Sequence, residues 1–310
     1  MAVCYTPTMQ GESVETVVVG TGFASTFFLR EYLAHARPDA RVLVLERGRR
    51  MPYAQKVATR SSSDILFDDV FLNRTPHKVW VQAIGFGGST CWTGNTPRPH
   101  PSDFETATRY GVGDDWPLGY DELEPFLADA EDLMGIAGAS GGPFPRSRPY
   151  PAPAHLLNGF DRAIAEKYPE QHLPMPSARS SGIVTGRPTC CITNACSTCP
   201  ITAKFQVDLH MADVYEDPRV ELRLESTVHR LDIQADRVVG VHYEAGGEER
   251  RVGCDLAAVG AHGIFTPHIL LRSGLDDPAL GRYLSETFSV DVQLDLAIDS
   301  LDGSQAVSGL

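Results

Sequence analysis

The order of apolar and polar positions names several elements along the chain. Residues 16–19, TVVV, form a short β-branched run of the kind a parallel sheet buries on both faces. Phe27, Phe28, Leu29, Tyr32 and Leu33 then recur at helical spacing. Arg37-Pro38 stops that helix, because the residue before a proline is pushed out of the helical region. Residues 41–45, RVLVL, predict a second strand. Leu123, Phe126, Leu127, Ala130, Leu133 and Met134 mark one face of an amphipathic helix. Asp121, Glu122 and Glu124 sit in its first turn, where the helix dipole favours acid, so these acids are expected to be structural rather than catalytic. Between residues 219 and 260, the runs VELRL, VHRLDI, VVGVHY and CDLAAV alternate between the turn signals QADR and EAGGEE, which predicts a β-meander. In GIFTPHILLRSG, 263–274, Pro267 is expected at a helix start and Gly274 just past its end. The proline-rich stretch 141–155 is expected to be an extended loop.

Between the first two strands lies a glycine pattern, Gly20, Gly22 and Ser25 as GxGxxS, and Glu46 ends the second strand. Gly20 permits a tight strand-to-helix turn, and Gly22 lets backbone amides approach a pyrophosphate with no Cβ in the way. The helix N-terminus turns its positive end to the phosphates. Glu46 is placed to accept hydrogen bonds from ribose hydroxyls, and Ser25 is small enough for close helix–strand packing. Strand, glycine turn, helix, strand and terminal acid together predict a dinucleotide site. The acid followed by Arg47 and Gly48 favours the adenosine half of FAD.

Composition narrows the alternatives. The chain has 310 residues, 42% of them apolar, enough for a sizeable core. A net charge of −13 leaves no basic face for nucleic acid. No apolar run approaches the length of a membrane span. The N-terminal residues lack a basic segment followed by an apolar one, and the seven cysteines are odd in number and clustered. Both features predict a cytoplasmic, reducing setting.

Three further segments, GFGGSTCWTGNTPRPHPSDF (85–104), DDWPLGYDELEPFLADAEDLMGI (114–136) and GIFTPHILLRSGLDDPALGRYLSE (263–286), follow the N-terminal motif in an order that resembles the glucose–methanol–choline (GMC) family of FAD-dependent alcohol oxidoreductases. Within it, the pyranose oxidase and sugar dehydrogenase branch is nearest. The resemblance implies an α/β fold: a Rossmann-like FAD-binding domain related to p-hydroxybenzoate hydroxylase, with part of a second α+β substrate domain. The expected boundaries are 14–118 and 180–289 for the first, and 119–179 and 290–310 for the second. The resemblance places Gly87, Gly88 and Ser89 against the isoalloxazine ring and the Val228 backbone against adenine. TCWTGNTPR, with Cys91, Trp92 and Thr93, stands where some sugar oxidases join a histidine covalently to FAD. A cysteinyl–flavin bond at Cys91 is chemically conceivable; the plainer reading is a small buried residue under a non-covalent flavin.

The run CCITNACSTCP carries Cys190, Cys191, Cys196 and Cys199. Its spacing is similar to the cysteine loop of cytochrome-linked sugar dehydrogenases, where three cysteines hold a [3Fe–4S] cluster, but it is one residue shorter at its end. Closely spaced thiolates suit an iron–sulfur cluster. A zinc site, one disulfide or free thiols stay open as alternatives.

The resemblance also implies a catalytic histidine, paired with His or Asn, in a C-terminal portion. None of the ten histidines here stands in that motif. The expectation is therefore a companion polypeptide that supplies the base, or else a truncated or degenerate chain. The first functional reading is the FAD-binding part of a dehydrogenase acting on an alcohol or sugar CH–OH group. The alternatives are half of an oxygen-using pyranose-type oxidase, or a non-catalytic flavin-binding subunit completed by a partner.

Overall fold

The computed structural model describes residues 11–284, save 76, 79, 140, 143, 183–185, 193–195 and 197. In chain order the elements begin with β1 (Thr16–Val19), α1 (Phe23–His35), β2 (Val42–Leu45), α2 (Tyr53–Thr59) and α3 (Phe67–Val70). Next come α4 (Thr106–Tyr110), α5 (Tyr120–Met134), β3 (Ala137–Gly138), β4 (Ala152–Pro153), α6 (Gly159–Lys167) and α7 (Val207–His210). The last are β5 (Val220–Arg223), β6 (Ser226–Gln234), β7 (Arg237–Ala245), β8 (Glu248–Gly253), β9 (Leu256–Val259) and α8 (His262–Arg272). No described helix is long and apolar enough to cross a membrane.

The chain divides into two compact units, Met1–Cys91 with Gln206–Val290, and Trp92–Phe205 with Asp291–Leu310. Residues 92–118 and 180–205 thus cluster with the second unit, whereas the sequence reading assigns them to the FAD-binding domain. The tail 290–310 and the end of GRYLSE lie outside the described residues.

The first unit is built on a parallel sheet in the order β5-β2-β1-β9. Val17 pairs with Leu43 on one side and Ala257 on the other. All residues of β1 and β2 are buried, which explains their unbroken apolar runs. Each fully buried valine or leucine contributes roughly 1.5–3 kcal/mol, and Val17, Val19, Leu43 and Leu45 share one core with Leu231, Val241, Tyr243 and Val252. Those last four belong to a separate antiparallel sheet, β6-β7-β8.

Two sequence expectations need correction here. The predicted meander is only the middle of its segment. VELRL and CDLAAV supply β5 and β9 of the parallel sheet, and the third meander strand is EERRVG, whose four leading charged residues are exposed and give no apolar alternation. Pro267 does not start α8 but lies inside it, five residues after His262. The other end of α8 is as expected. Gly274 takes a φ of 82°, its N–H meets the Leu271 carbonyl, and the Leu275 N–H reaches back to Leu270, which closes a Schellman motif.

The second unit centres on α5, and its buried face is not the predicted one. Tyr120, Glu124, Ala128 and Glu131 are buried, while Phe126 is 67% exposed. The cause is Arg98. Its guanidinium grips Glu131 through two bonds of 2.8 Å and Glu124 through one of 2.7 Å, with Tyr120 Oη at 3.2 Å. Arg146 adds a 2.7 Å bond to Glu131, and the Ser147 N–H donates to Glu124. Burial works against all these charges. The facing arginine nonetheless holds Glu124 at about 2 and Glu131 below the usual carboxylate range. Arg187, also buried, donates to the Met134 and Gly135 carbonyls and so satisfies the C-terminal end of α5.

Candidate cofactor site

The first unit encloses a cavity of about 510 Å³ where β1, α1, the end of β2, the 82–90 loop, β6 and the start of α8 converge. That volume is within the roughly 300–1,000 Å³ typical of ligand pockets. Of the residues singled out from sequence, Gly20, Gly22, Glu46, Gly88, Ser89 and Val228 line it, and Gly260 and Ala261 join them.

The glycine turn has the expected geometry. Gly20 has φ +89°, and a Cβ there would stand 2.7 Å from the Gly260 carbonyl oxygen. A Cβ on Gly22 would meet nothing within 4 Å, although Gly22 lines the cavity. Its lack of a side chain leaves open space in front of the first amides of α1. That first turn carries no acid to neutralise the helix dipole. Ser25 is off the wall. Its hydroxyl donates to the Val19 carbonyl at 2.9 Å, and a Cβ on Gly260 would fall 2.2 Å from Ser25 Oγ, so this position serves the close approach of α1 to β9.

Glu46 is buried at the end of β2. Oε2 accepts from the Thr21 N–H (3.0 Å) and the Thr21 hydroxyl (2.8 Å), and Oε1 accepts from the Gly48 N–H (2.9 Å). A carboxylate offers about four acceptor sites, so one is left, and Glu46 is among the residues that line the cavity. Burial pushes the Glu46 carboxyl up; the hydrogen bonds from Gly48 and Thr21 and the charge of Arg47 oppose that rise.

The GGS turn is tied to this acid. The Gly87 N–H donates to Thr21 Oγ1 at 3.0 Å, so one threonine hydroxyl joins Glu46 to the turn. Gly87 itself is just behind the wall. Its φ of +90° demands glycine, and a Cβ would lie 2.9 Å from that of Asp208. Asp208 pairs with Lys56 at 2.6 Å, both nearly fully buried, and the Thr90 hydroxyl donates to the Gly87 carbonyl at 2.7 Å.

Cys91 is buried and off the cavity wall, and Trp92 and Thr93 belong to the second unit. Sequence reasoning missed Thr21, Arg47, Gln82, His262 and Phe265 as lining residues. Arg47 stacks on Phe265 with its guanidinium carbon 4.3 Å from the ring centroid; burial draws that group down and Glu46 supports it. His262 has a left-handed φ of 73°, and burial lowers its pKa. The one signal for these residues was their position beside the recognised motifs.

No family model matches the chain. Among curated proteins it is 32% identical to the fructose dehydrogenase large subunit of Gluconobacter japonicus, over 66% of this chain and 39% of that one. It is 26% identical to the gluconate 2-dehydrogenase flavoprotein of Pantoea cypripedii, over 86% of this chain and 53% of that one. These relatives are GMC-type FAD oxidoreductases, and the chain is similar to them. It spans between about two fifths and about half the length of these GMC-type relatives. Two solved structures share the fold. Pyridoxine 4-oxidase from Mesorbium loti aligns with a TM-score of 0.53 at 20% identity, over 85% of this chain and 52% of its own. An FAD-dependent oxidoreductase from Chaetomium thermophilum gives a TM-score of 0.56 at 16% identity, over 84% and 48%.

The cysteine loop is a separate matter. Cys199 is buried, Cys190 and Cys196 are half-buried, and Cys191 is exposed. The Cys190 N–H donates to the Ser180 carbonyl, and Lys204 Nζ donates to the Cys196 carbonyl. Among the described residues, no three His, Cys, Asp or Glu side chains converge as metal ligands. The cluster expected at Cys190, Cys191, Cys196 and Cys199 is not shown.

Proposed function

We propose that this chain holds FAD in the cavity of its first unit and serves the oxidation of an alcohol or sugar CH–OH group to a carbonyl. The observation that carries the reading is the juxtaposition of the open wall at Gly22, the first amides of α1 and the incompletely used Glu46 around one cavity. Bound there, FAD supplies the acceptor for a hydride leaving the substrate carbon.

The chain's own residues divide the binding work. Amides at the start of α1 receive the pyrophosphate. Glu46 takes a ribose hydroxyl on its remaining acceptor site, and the Val228 backbone meets adenine. Gly88 and Ser89 pack against the isoalloxazine. Val19, Leu45, Ile84, Val259 and Phe265 give the cavity dry walls, which strengthen each polar contact inside.

No residue of this chain is assigned as the base that removes the hydroxyl proton. That group comes from a companion polypeptide or a further portion of the protein; one relative being named a large subunit and another a flavoprotein supports this. A dehydrogenase is favoured over an oxidase because both of those relatives are named dehydrogenases. A 26% identical paromamine 6′-oxidase of Streptomyces fradiae supports the second reading more weakly.

The test is purification from the native host with any companion, followed by flavin analysis and dye reduction with a panel of sugars and alcohols. Yellow protein that reduces dye without oxygen is expected. Colourless protein, with its companion present, overturns the reading.

A further inference from the structure

We infer that Gln82 is a cofactor-binding residue whose carboxamide pairs with a hydrogen-bond donor on the bound flavin nucleotide. The inference rests on the FAD reading above and deepens it.

Gln82 lines the cavity, yet its Oε1 is fully buried and has no hydrogen-bond partner. A buried carbonyl left in this condition is unfavourable. Turning the carboxamide over would place an amine at the same spot and leave that unpaired instead. The other polar groups of this corner are satisfied: the Ala83 N–H donates to Ser89 Oγ at 3.3 Å, the Gly88 N–H to the Gly85 carbonyl at 2.8 Å, and the Gly87 N–H to Thr21. The unpaired atom is thus confined to the one side chain of the loop that faces the cavity with an amide.

The Ala83–Ser89 contact folds the loop back on itself and sets Gln82 beside the GGS turn. A carboxamide offers an acceptor and a donor side by side. The pyrimidine edge of an isoalloxazine presents the matching pair, N3–H beside a carbonyl oxygen. Ribityl and ribose hydroxyls provide the same donor chemistry.

Gln82→Met keeps the length and volume of the side chain and removes its hydrogen bonding. Titration of flavin-free protein with FAD, followed by flavin fluorescence, is expected to show about ten-fold weaker binding in the variant. The melting temperature of the flavin-free variant should match or exceed that of the parent, because an unpaired polar atom has been removed. A purely structural glutamine would lower it. Repeating the titration with 3-methyl-FAD identifies the donor. If the parent's advantage vanishes, the donor is N3–H; if it persists, a sugar hydroxyl is the partner. Equal FAD affinity of parent and Gln82→Met, or a lowered melting temperature without FAD, overturns the inference while the FAD reading stands. Failure of the parent itself to bind FAD removes both.

Discussion

The two units bury carboxylates in opposite ways. In the second unit, Glu124 and Glu131 are neutralised by Arg98, which donates one bond to the first and two to the second, and both are held below the usual carboxylate range. In the first, Glu46 is buried without a directly bonded cation, is held by Thr21 and Gly48, and is pushed upward. A buried acid bonded to a cation organises a core. A buried acid held by hydrogen bonds alone, with acceptor capacity left on a cavity wall, is poised for a ligand.

The contrast breaks most visibly at Arg98. Arg98→Met leaves buried Glu124 without its cation and Glu131 with Arg146 alone, and should destabilise the chain by about 3–5 kcal/mol, read as a shift in the urea midpoint. Replacing Arg98, Glu124 and Glu131 together with apolar residues should recover most of that loss.

The next effect is a pair of opposite pH dependences. Glu124 has a folded pKa of about 2, below its ordinary 4.5. Its contribution is therefore present above pH 4.5 and lost as pH falls from there toward 2. The stability advantage of the parent over Glu124→Gln should shrink across that window. The Glu46 pKa is raised on folding, so its contribution is present below the ordinary carboxylate value and lost as pH rises. The parent should lose ground to Glu46→Gln with rising pH. Chemical denaturation at a series of pH values reads both, and parallel slopes for the two variants would erase the distinction.

How much of this could be read in sequence follows from the range of the interactions involved. Gly20, Gly22, Ser25 and Glu46 act through backbone geometry within one strand–helix–strand unit, so their spacing announced them. Glu124 and Glu131 are buried by an arginine 26 and 33 positions away. Nothing local told them from solvent-facing acids, and the apolar stripe through Phe126 pointed to the wrong face. β8 carried charge where a strand pattern was sought, because its first four residues are exposed on both faces of the strand. Thr21 and Gln82 line the cavity through loops whose paths no periodicity encodes.

Gly22→Ala bears most directly on the cofactor cavity. The added methyl meets no protein atom within 4 Å, so stability should change by no more than about 1 kcal/mol. It occupies the space in front of the α1 amides, so FAD affinity, measured by fluorescence titration of the folded protein, should fall by at least about ten-fold. A variant that folds and binds FAD as tightly as the parent would contradict the placement of the cofactor in this cavity.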